Sequence, residues 1–228
     1  MIGQPRDYSQ MLKRIFWASV IAGIFCTISL GWISPDLNKF LNLSAEKWDF
    51  GPFKLPVLAA LIPLAASMIA RIITLHDLVS DIFHIREYFD IEHILKPLAS
   101  GVGISVDSKI RKKFKVNRHT LMRNTFYKYA PDADNAKINP QLVVTALDRW
   151  GWFWSMVEPS IIVLIAGIVA LLFVGFMASL IYFGFTLVLN LAALFYWPSC
   201  IRAAHYEVEA ILQNTDRQEV IHEAFNEI

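Results

Sequence analysis

The sequence predicts an all-α polytopic membrane protein with four transmembrane helices, and three observations lead to that prediction. The chain has 228 residues, of which 55% are hydrophobic and only 18% are charged, whereas soluble proteins carry about 25% charged residues. Its mean hydropathy is +0.43. The apolar residues lie in long charge-free runs, and the polar segments between them have helical periodicity. We therefore expect a multi-pass protein of the cell membrane.

The first two predicted spans cover residues 15–33 and 55–75. The first is longer than a signal-peptide core of about 7–15 residues and has no small-residue cleavage site after it, so we expect it to be retained. No Pro or Gly separates the second span from the polar residues that follow. The pattern therefore predicts one long helix that continues to Pro97. Its expected apolar stripe is Leu78, Ile82, Ile85 and Phe89.

The last two predicted spans form a hairpin, because residues 159–201 contain no charged side chain. A single helix of that length would measure roughly 64 Å, about twice the thickness of the hydrocarbon core. We expect spans at 159–176 and 179–198, with the turn beginning near Gly175.

The distribution of Lys and Arg predicts the orientation. Thirteen basic residues lie in the segment 71–149, against three in the loop 34–54. By the positive-inside rule, the long central segment and both termini should be cytoplasmic. The predicted organisation has four parts: an N-terminal tail with two spans (1–75), a cytoplasmic helical region (76–156), the hairpin (157–198) and an acidic amphipathic tail (199–228).

Helix-capping signals mark further elements in the polar segments. A helix is predicted over 117–129. Asn139 and Pro140 are typical of a helix start, as an N-cap followed by proline at the first helical position. Thr215 and Gln218 match a capping box for a short last helix.

A run of basic residues over 109–128 is the main candidate site, and no acidic residue interrupts it. Three kinds of partner remain open. They are membrane lipids, through anionic headgroups of the inner leaflet; a phosphate-bearing ligand such as a nucleotide, nucleic acid or signalling lipid; and an acidic protein surface, including the acidic tail of this chain. The residues are Lys109, Arg111, Lys112, Lys113, Lys115, Arg118, Arg123 and Lys128.

The predicted spans carry few polar groups, and no acid, lysine or histidine lies near a span centre. Ion-coupled transporters usually have such groups at mid-membrane. One helical stripe is polar, and it can line a pore or join helices by hydrogen bonds. A homo-oligomer is expected if anything is conducted. The stripe consists of Ser179, Tyr182, Thr186 and Asn190.

Metal and hydrolase motifs are weak. Asp81 with His84, and His205 with Glu209, have spacings that occur in metal-binding helices. Arg71 and His76 have the R-x4-H spacing of HEPN-type ribonucleases. Chance alone accounts for one such Arg–His match at this composition. We therefore expect no cofactor and no catalytic residue.

Three functional hypotheses follow. The first is an oligomeric pore or membrane effector, controlled by its cytoplasmic helices through an anionic ligand or partner; bacterial stress and phage-defence membrane proteins can have this layout. The second is a non-conducting anchor or sensor that recruits a cytosolic protein or nucleic acid. The third is a membrane-associated hydrolase, metal-dependent or HEPN-like.

Overall fold

A computed structural model describes residues 3–42, 47–50 and 53–227, and most of these residues are helical. The described residues also include an antiparallel pair of short strands, β1 (Lys47–Phe50) and β2 (Phe53–Pro56). The predicted all-α class is confirmed apart from this hairpin. Residues 43–46 and 51–52 of the predicted loop lie outside the described part of the chain.

The helices follow one another with short connections. In chain order they are α1 (Tyr8–Ile33), α2 (Pro35–Leu41), α3 (Val57–Ile72), α4 (Leu75–Ile82), α5 (Ile85–Phe89), α6 (Lys96–Gly101), α7 (Ser108–Leu121), α8 (Pro140–Phe173), α9 (Phe176–Leu212) and α10 (Thr215–Asn226). Two π-helical stretches, Asp90–Leu95 and Met122–Phe126, follow α5 and α7.

Among the described residues, three helices are long and apolar enough to cross a membrane: α1, α8 and α9. The pair α3 and α4, bent by 60° at its break, adds a fourth if it forms one span. The chain is thus compatible with a multi-pass membrane protein of three to four spans. The predicted hairpin corresponds to α8 and α9, which are separated by Val174 and Gly175. Gly175 has φ +127°, a conformation that favours glycine.

The predicted helix from the second span to Pro97 is wrong. The helix begins only at Val57, because the preceding residues belong to β2, and it breaks at Thr74 and again at His84. These residues have φ of 48° and 53°, and a left-handed residue interrupts a right-handed helix. Pro97 does not end a helix either. It lies in α6, which continues without a break from the π-helical stretch Asp90–Leu95.

The expected apolar stripe on this segment is mostly exposed. Leu78 and Ile82 are exposed, and Ile85 is half-buried, whereas Phe89 is buried. The spacing of these apolar residues therefore correctly predicts helical structure, but the prediction that they share a buried face is wrong.

Capping residues explain where three other helices begin. The helix predicted at 117 begins at Ser108, because the Asp107 carboxylate accepts a hydrogen bond from the backbone N–H of Ile110. The predicted start at Pro140 is confirmed. At α10 the N-cap is Asn214 rather than Thr215.

The described chain forms two compact units. One, called here the polar unit, comprises Met1–Met11, Asp77–Gly151 and Tyr196–Ile228. The other, called the apolar unit, comprises Leu12–His76 and Trp152–Phe195.

Small residues and a few hydrogen bonds hold the apolar unit together. Its core includes Cys26, Val163, Ala166, Ala170 and Tyr182. The Tyr182 hydroxyl lies 2.8 Å from the Ser29 hydroxyl, and the Ser19 hydroxyl donates to Glu158 at 3.2 Å. Gly23 packs directly on Pro63, where an added Cβ would lie 2.7 Å from the proline Cβ. Close helix approach at small residues is typical of membrane proteins.

Gly23→Ala should destabilise the protein, because the new methyl group would overlap the Pro63 ring. Overpacking of this kind costs about 1–3 kcal/mol. Gly184→Ala is the matched control, since no atom lies within 4 Å of its added Cβ. Thermal unfolding in detergent should show a lower Tm for Gly23→Ala and an unchanged or higher Tm for Gly184→Ala. Equal shifts for the two variants would contradict the packing described here.

Candidate anion-binding cleft

Helix α7 carries most of the predicted basic segment and packs against the polar unit through Phe114 and Leu121, both fully buried. These two residues are seven positions apart and therefore lie on one side of the helix. Because that side of the helix is buried, the basic side chains project from the rest of its surface. Met122, Thr125 and Phe126 of the following π-helical stretch are also buried.

Three basic residues of α7 pair with acidic residues of the segment 87–92. Arg111 lies 2.8 Å from Glu92, Lys115 lies 2.8 Å from Glu87, and Arg118 lies 2.8 Å from Asp90. The basic residues are spaced by four and three positions, which places them along one face of the helix. Part of the basic segment therefore docks on an acidic surface of the same chain at 87–92.

The Arg118–Asp90 pair is the buried member of the three. Its side chains are only 11% and 8% exposed. Burial raises the pKa of the Asp90 carboxyl to about 6, although the guanidinium groups of Arg86 and Arg118 lower it. Arg86 also reaches the Tyr127 hydroxyl at 3.3 Å and Asp77 at 3.5 Å.

The remaining basic residues of the segment do not join these pairs. Lys109, Lys112, Lys113 and Arg123 are exposed, and their spacing places them on the outer face of the helix. Val116 on the same face is 83% exposed. Lys128 instead lies 6.0 Å from the centre of the Tyr129 ring.

A cleft of about 670 Å³ lies beside the first turns of α7, within the polar unit. Its apolar and aromatic lining, called here the floor, consists of Tyr88, Ile91 and Val106. Its charged lining, called here the rim, consists of four cations and the carboxylates of Glu87 and Asp107. The lining residues are His84, Glu87, Tyr88, Ile91, Lys96, Val106, Asp107, Ser108, Arg111, Lys112 and Lys115. The structure thus brings three of the eight predicted basic residues to one cleft, and it adds Lys96 and His84, which sequence spacing did not associate with them.

The cations of the rim differ in how strongly they are held. Lys115 pairs with Glu87, whereas Lys112 has no ion-pair partner among the described residues. Arg111 approaches Glu92 Oε1 to 2.8 Å, but that oxygen receives no hydrogen bond of good geometry. Arg111 therefore keeps donor N–H groups for a ligand. Lys96 also lies 3.4 Å from Glu92. An anion in the cleft would therefore meet one uncommitted ammonium group and three cations already shared with carboxylates.

The weak metal candidates do not form a metal site. His205 faces His93, with ring centres 5.8 Å apart, while His84 lies at the cleft and is paired loosely with Glu87 at 3.8 Å. Glu209 lines a separate cavity of about 540 Å³. No group of three or more His, Cys, Asp or Glu side chains suited to a metal occurs in the described ranges.

Arg71 and His76 likewise pack on different aromatic rings. The Arg71 guanidinium lies 5.9 Å from the centre of Phe16, and the His76 ring lies 6.3 Å from that of Trp154. Both contacts lie within the apolar unit.

The predicted polar stripe on α9 has two distinct parts. Ser179 and Tyr182 are buried within the apolar unit. The Thr186 hydroxyl donates to the carbonyl oxygen of Tyr182, and Asn190 donates to that of Thr186. Asn190 itself is exposed.

Long apolar helices and a charged helical unit together describe the class of this chain, a helical protein compatible with several membrane spans. The sequence model of the YmfE protein family matches residues 7–227, so the chain belongs to that family. No curated protein and no solved structure matches the chain significantly.

The buried Asp90 carboxyl should make stability depend on pH. An unfolded aspartate has a pKa of about 3.9, so between about pH 4 and pH 6 the unfolded chain loses this proton while the folded chain keeps it. This group therefore lowers stability as pH rises through that window. Asn cannot ionise, so the stability of Asp90→Asn relative to wild type should rise from pH 4 to pH 6 and stay level above.

Unfolding measured at a series of pH values tests this expectation. Asp132→Asn is a suitable control, because hydrogen bonds from Asn135 lower the pKa of the exposed Asp132 carboxyl. Its stability relative to wild type should fall as pH rises toward about 4, the opposite direction, and should stay level from pH 4 to pH 6. If the difference in stability between Asp90→Asn and wild type does not depend on pH, the raised pKa of the Asp90 carboxyl is refuted.

Proposed function

We propose that this protein is a multi-pass membrane anchor and sensor whose polar unit binds a phosphate-type anion attached to an apolar or planar group. The observation that supports the proposal is the cleft beside α7, with its apolar floor and its four cations. Such a combination of apolar walls and a few convergent polar groups is typical of small-molecule sites. The cleft is proposed to be cytoplasmic, because the basic residues concentrate in the same segment.

Ligand binding would be coupled to the packing of α7. The cations at the rim include Arg111 and Lys115, and these residues also hold α7 against Glu92 and Glu87. An anion in the cleft competes with these carboxylates for the positive charge of the same two side chains. Occupancy would therefore weaken two of the three ion pairs and leave the buried Arg118–Asp90 pair in place. We propose that this local change is the signal that the sensor transmits.

The arrangement of the polar stripe on α9 favours a sensor over a pore. A pore lined by that stripe needs Ser179 and Tyr182 at an aqueous lumen. Both are buried, and the Tyr182 hydroxyl is hydrogen-bonded to Ser29. Conduction would require these side chains to leave the core of the apolar unit.

Lys112→Glu should weaken anion binding by about 10- to 150-fold, because it removes one charge-assisted hydrogen bond worth about 1.5–3 kcal/mol. The full chain would be placed in phosphatidylcholine nanodiscs and titrated calorimetrically with inorganic pyrophosphate and with ADP. ADP should bind more tightly than pyrophosphate, because its adenosine group can contact the apolar floor. Tm should change little, since Lys112 has no ion-pair partner within the described chain.

Lys109→Glu is the matched control, with the same charge change on a residue that does not line the cleft. It should leave pyrophosphate and ADP binding within about twofold of wild type. Equal losses for the two variants would indicate a diffuse basic surface instead of a cleft. Absence of binding to wild type, or ion conductance by wild type in planar bilayers, would refute the sensor proposal.

A further inference from the structure

Helix α9 presents a large apolar surface that no other described residue covers. Of the three long apolar helices, it buries the smallest share of its most hydrophobic window. Leu180, Leu187 and Leu194 are all exposed and lie seven positions apart. A seven-residue spacing keeps side chains on nearly the same side of a helix. These three leucines therefore form a single exposed row.

Asn190 lies in this row, three positions after Leu187 and four before Leu194. Its amide N–H donates to the carbonyl oxygen of Thr186 at 2.8 Å. Among the described residues, the second amide N–H and the carbonyl oxygen of Asn190 have no partner. Lipid tails offer no hydrogen bonds, so an amide in the hydrocarbon region gains strongly from a polar partner.

We propose that Leu180, Leu187, Asn190 and Leu194 form a contact surface for α9 of a second copy of this chain. All copies insert with the same orientation, so two α9 helices in one membrane run parallel and equal residues lie at equal depth. Asn190 of one copy then meets Asn190 of the other. The amide is self-complementary, because the free N–H of each side chain can donate to the free carbonyl oxygen of the other.

The spacing of the surface supports this occupant. The positions 180, 187, 190 and 194 are separated by seven, three and four residues, which is the pattern of a two-helix seam. A polar residue at one seam position selects the register and the number of helices. Phe183 continues the same spacing but packs on Gly167 of the same chain. The proposed contact surface therefore consists of the three leucines and Asn190 and does not include Phe183.

The inference requires α9 to cross the bilayer, and it is independent of the anion cleft. The full chain, labelled with donor or acceptor fluorophores at its N-terminus, would be reconstituted in phosphatidylcholine bilayers at a series of protein-to-lipid ratios. Energy transfer reports self-association. Asn190→Leu should weaken the association about tenfold, the size expected for a hydrogen-bonded pair of this kind. Asn190→Gln retains the amide and should stay within about threefold of wild type.

A variant in which the amide is moved to another position distinguishes the pairing of Asn190 with Asn190 from a general effect of side-chain polarity. In the double variant Val188→Asn with Asn190→Leu, the amide moves to the opposite side of α9, where Val188 is exposed. This variant should associate as weakly as Asn190→Leu. Wild-type affinity in either variant would overturn the proposal, and so would a wild type that stays monomeric at every ratio.

Oxidative crosslinking gives a second test that does not depend on affinity. Both native cysteines are buried, so an introduced exposed thiol reports contact between copies. Leu187→Cys should form a disulfide-linked dimer in the bilayer, whereas Val188→Cys should not. The reverse pattern would overturn the proposed face. Pyrophosphate binding should be unchanged in all of these variants, which distinguishes failure of the dimer from failure of the cleft.

Discussion

The buried ion pair between Arg118 and Asp90 is the interaction on which the polar unit depends most. Removing water from two charges costs several kcal/mol, and only good geometry and further hydrogen bonds offset that cost. The 2.8 Å contact offsets part of this cost, and the raised pKa of the Asp90 carboxyl indicates that part of it remains. A register shift of α7 by one residue would leave a charge buried without its partner, which costs about 3–5 kcal/mol. The pair therefore selects one register of α7 against the π-helical stretch Asp90–Leu95.

This selected register determines where the other charges lie. With Arg118 on Asp90, the helix places Lys115 at Glu87 and Arg111 at Glu92, and these pairs are more exposed. Exposed pairs contribute only about 0–1 kcal/mol each. They can therefore be exchanged for a ligand at low cost, while the buried pair keeps the helix in place. The same basic residues can serve as structural contacts and as an anion site because their burial differs along one helix.

Local sequence signals predicted the structure well, and non-local contacts were predicted poorly. Pro140 begins α8 and Gly175 separates α8 from α9, because each of these residues restricts or frees its own backbone. The break at Thr74 could not be predicted, since threonine has no preference for the left-handed conformation. The ion pairs of α7 join residues that are 19 to 28 positions apart. Charge counting showed an uninterrupted basic segment, and only the fold brings 87–92 against it.

The candidate sites illustrate the same difference. Sequence spacing placed Ser179, Tyr182, Thr186 and Asn190 on one side of α9, and this is correct for a helix of that period. It could not show that Ser179 and Tyr182 are covered by the same chain while Asn190 remains exposed, because that depends on which helices pack beside α9. The stripe therefore has two parts: Ser179 and Tyr182 make contacts within one copy, and the Asn190 amide faces outward. In a bilayer these two parts have different requirements. The internal part is already satisfied by hydrogen bonds within the chain, whereas the exposed amide can be satisfied only by another protein surface or by water.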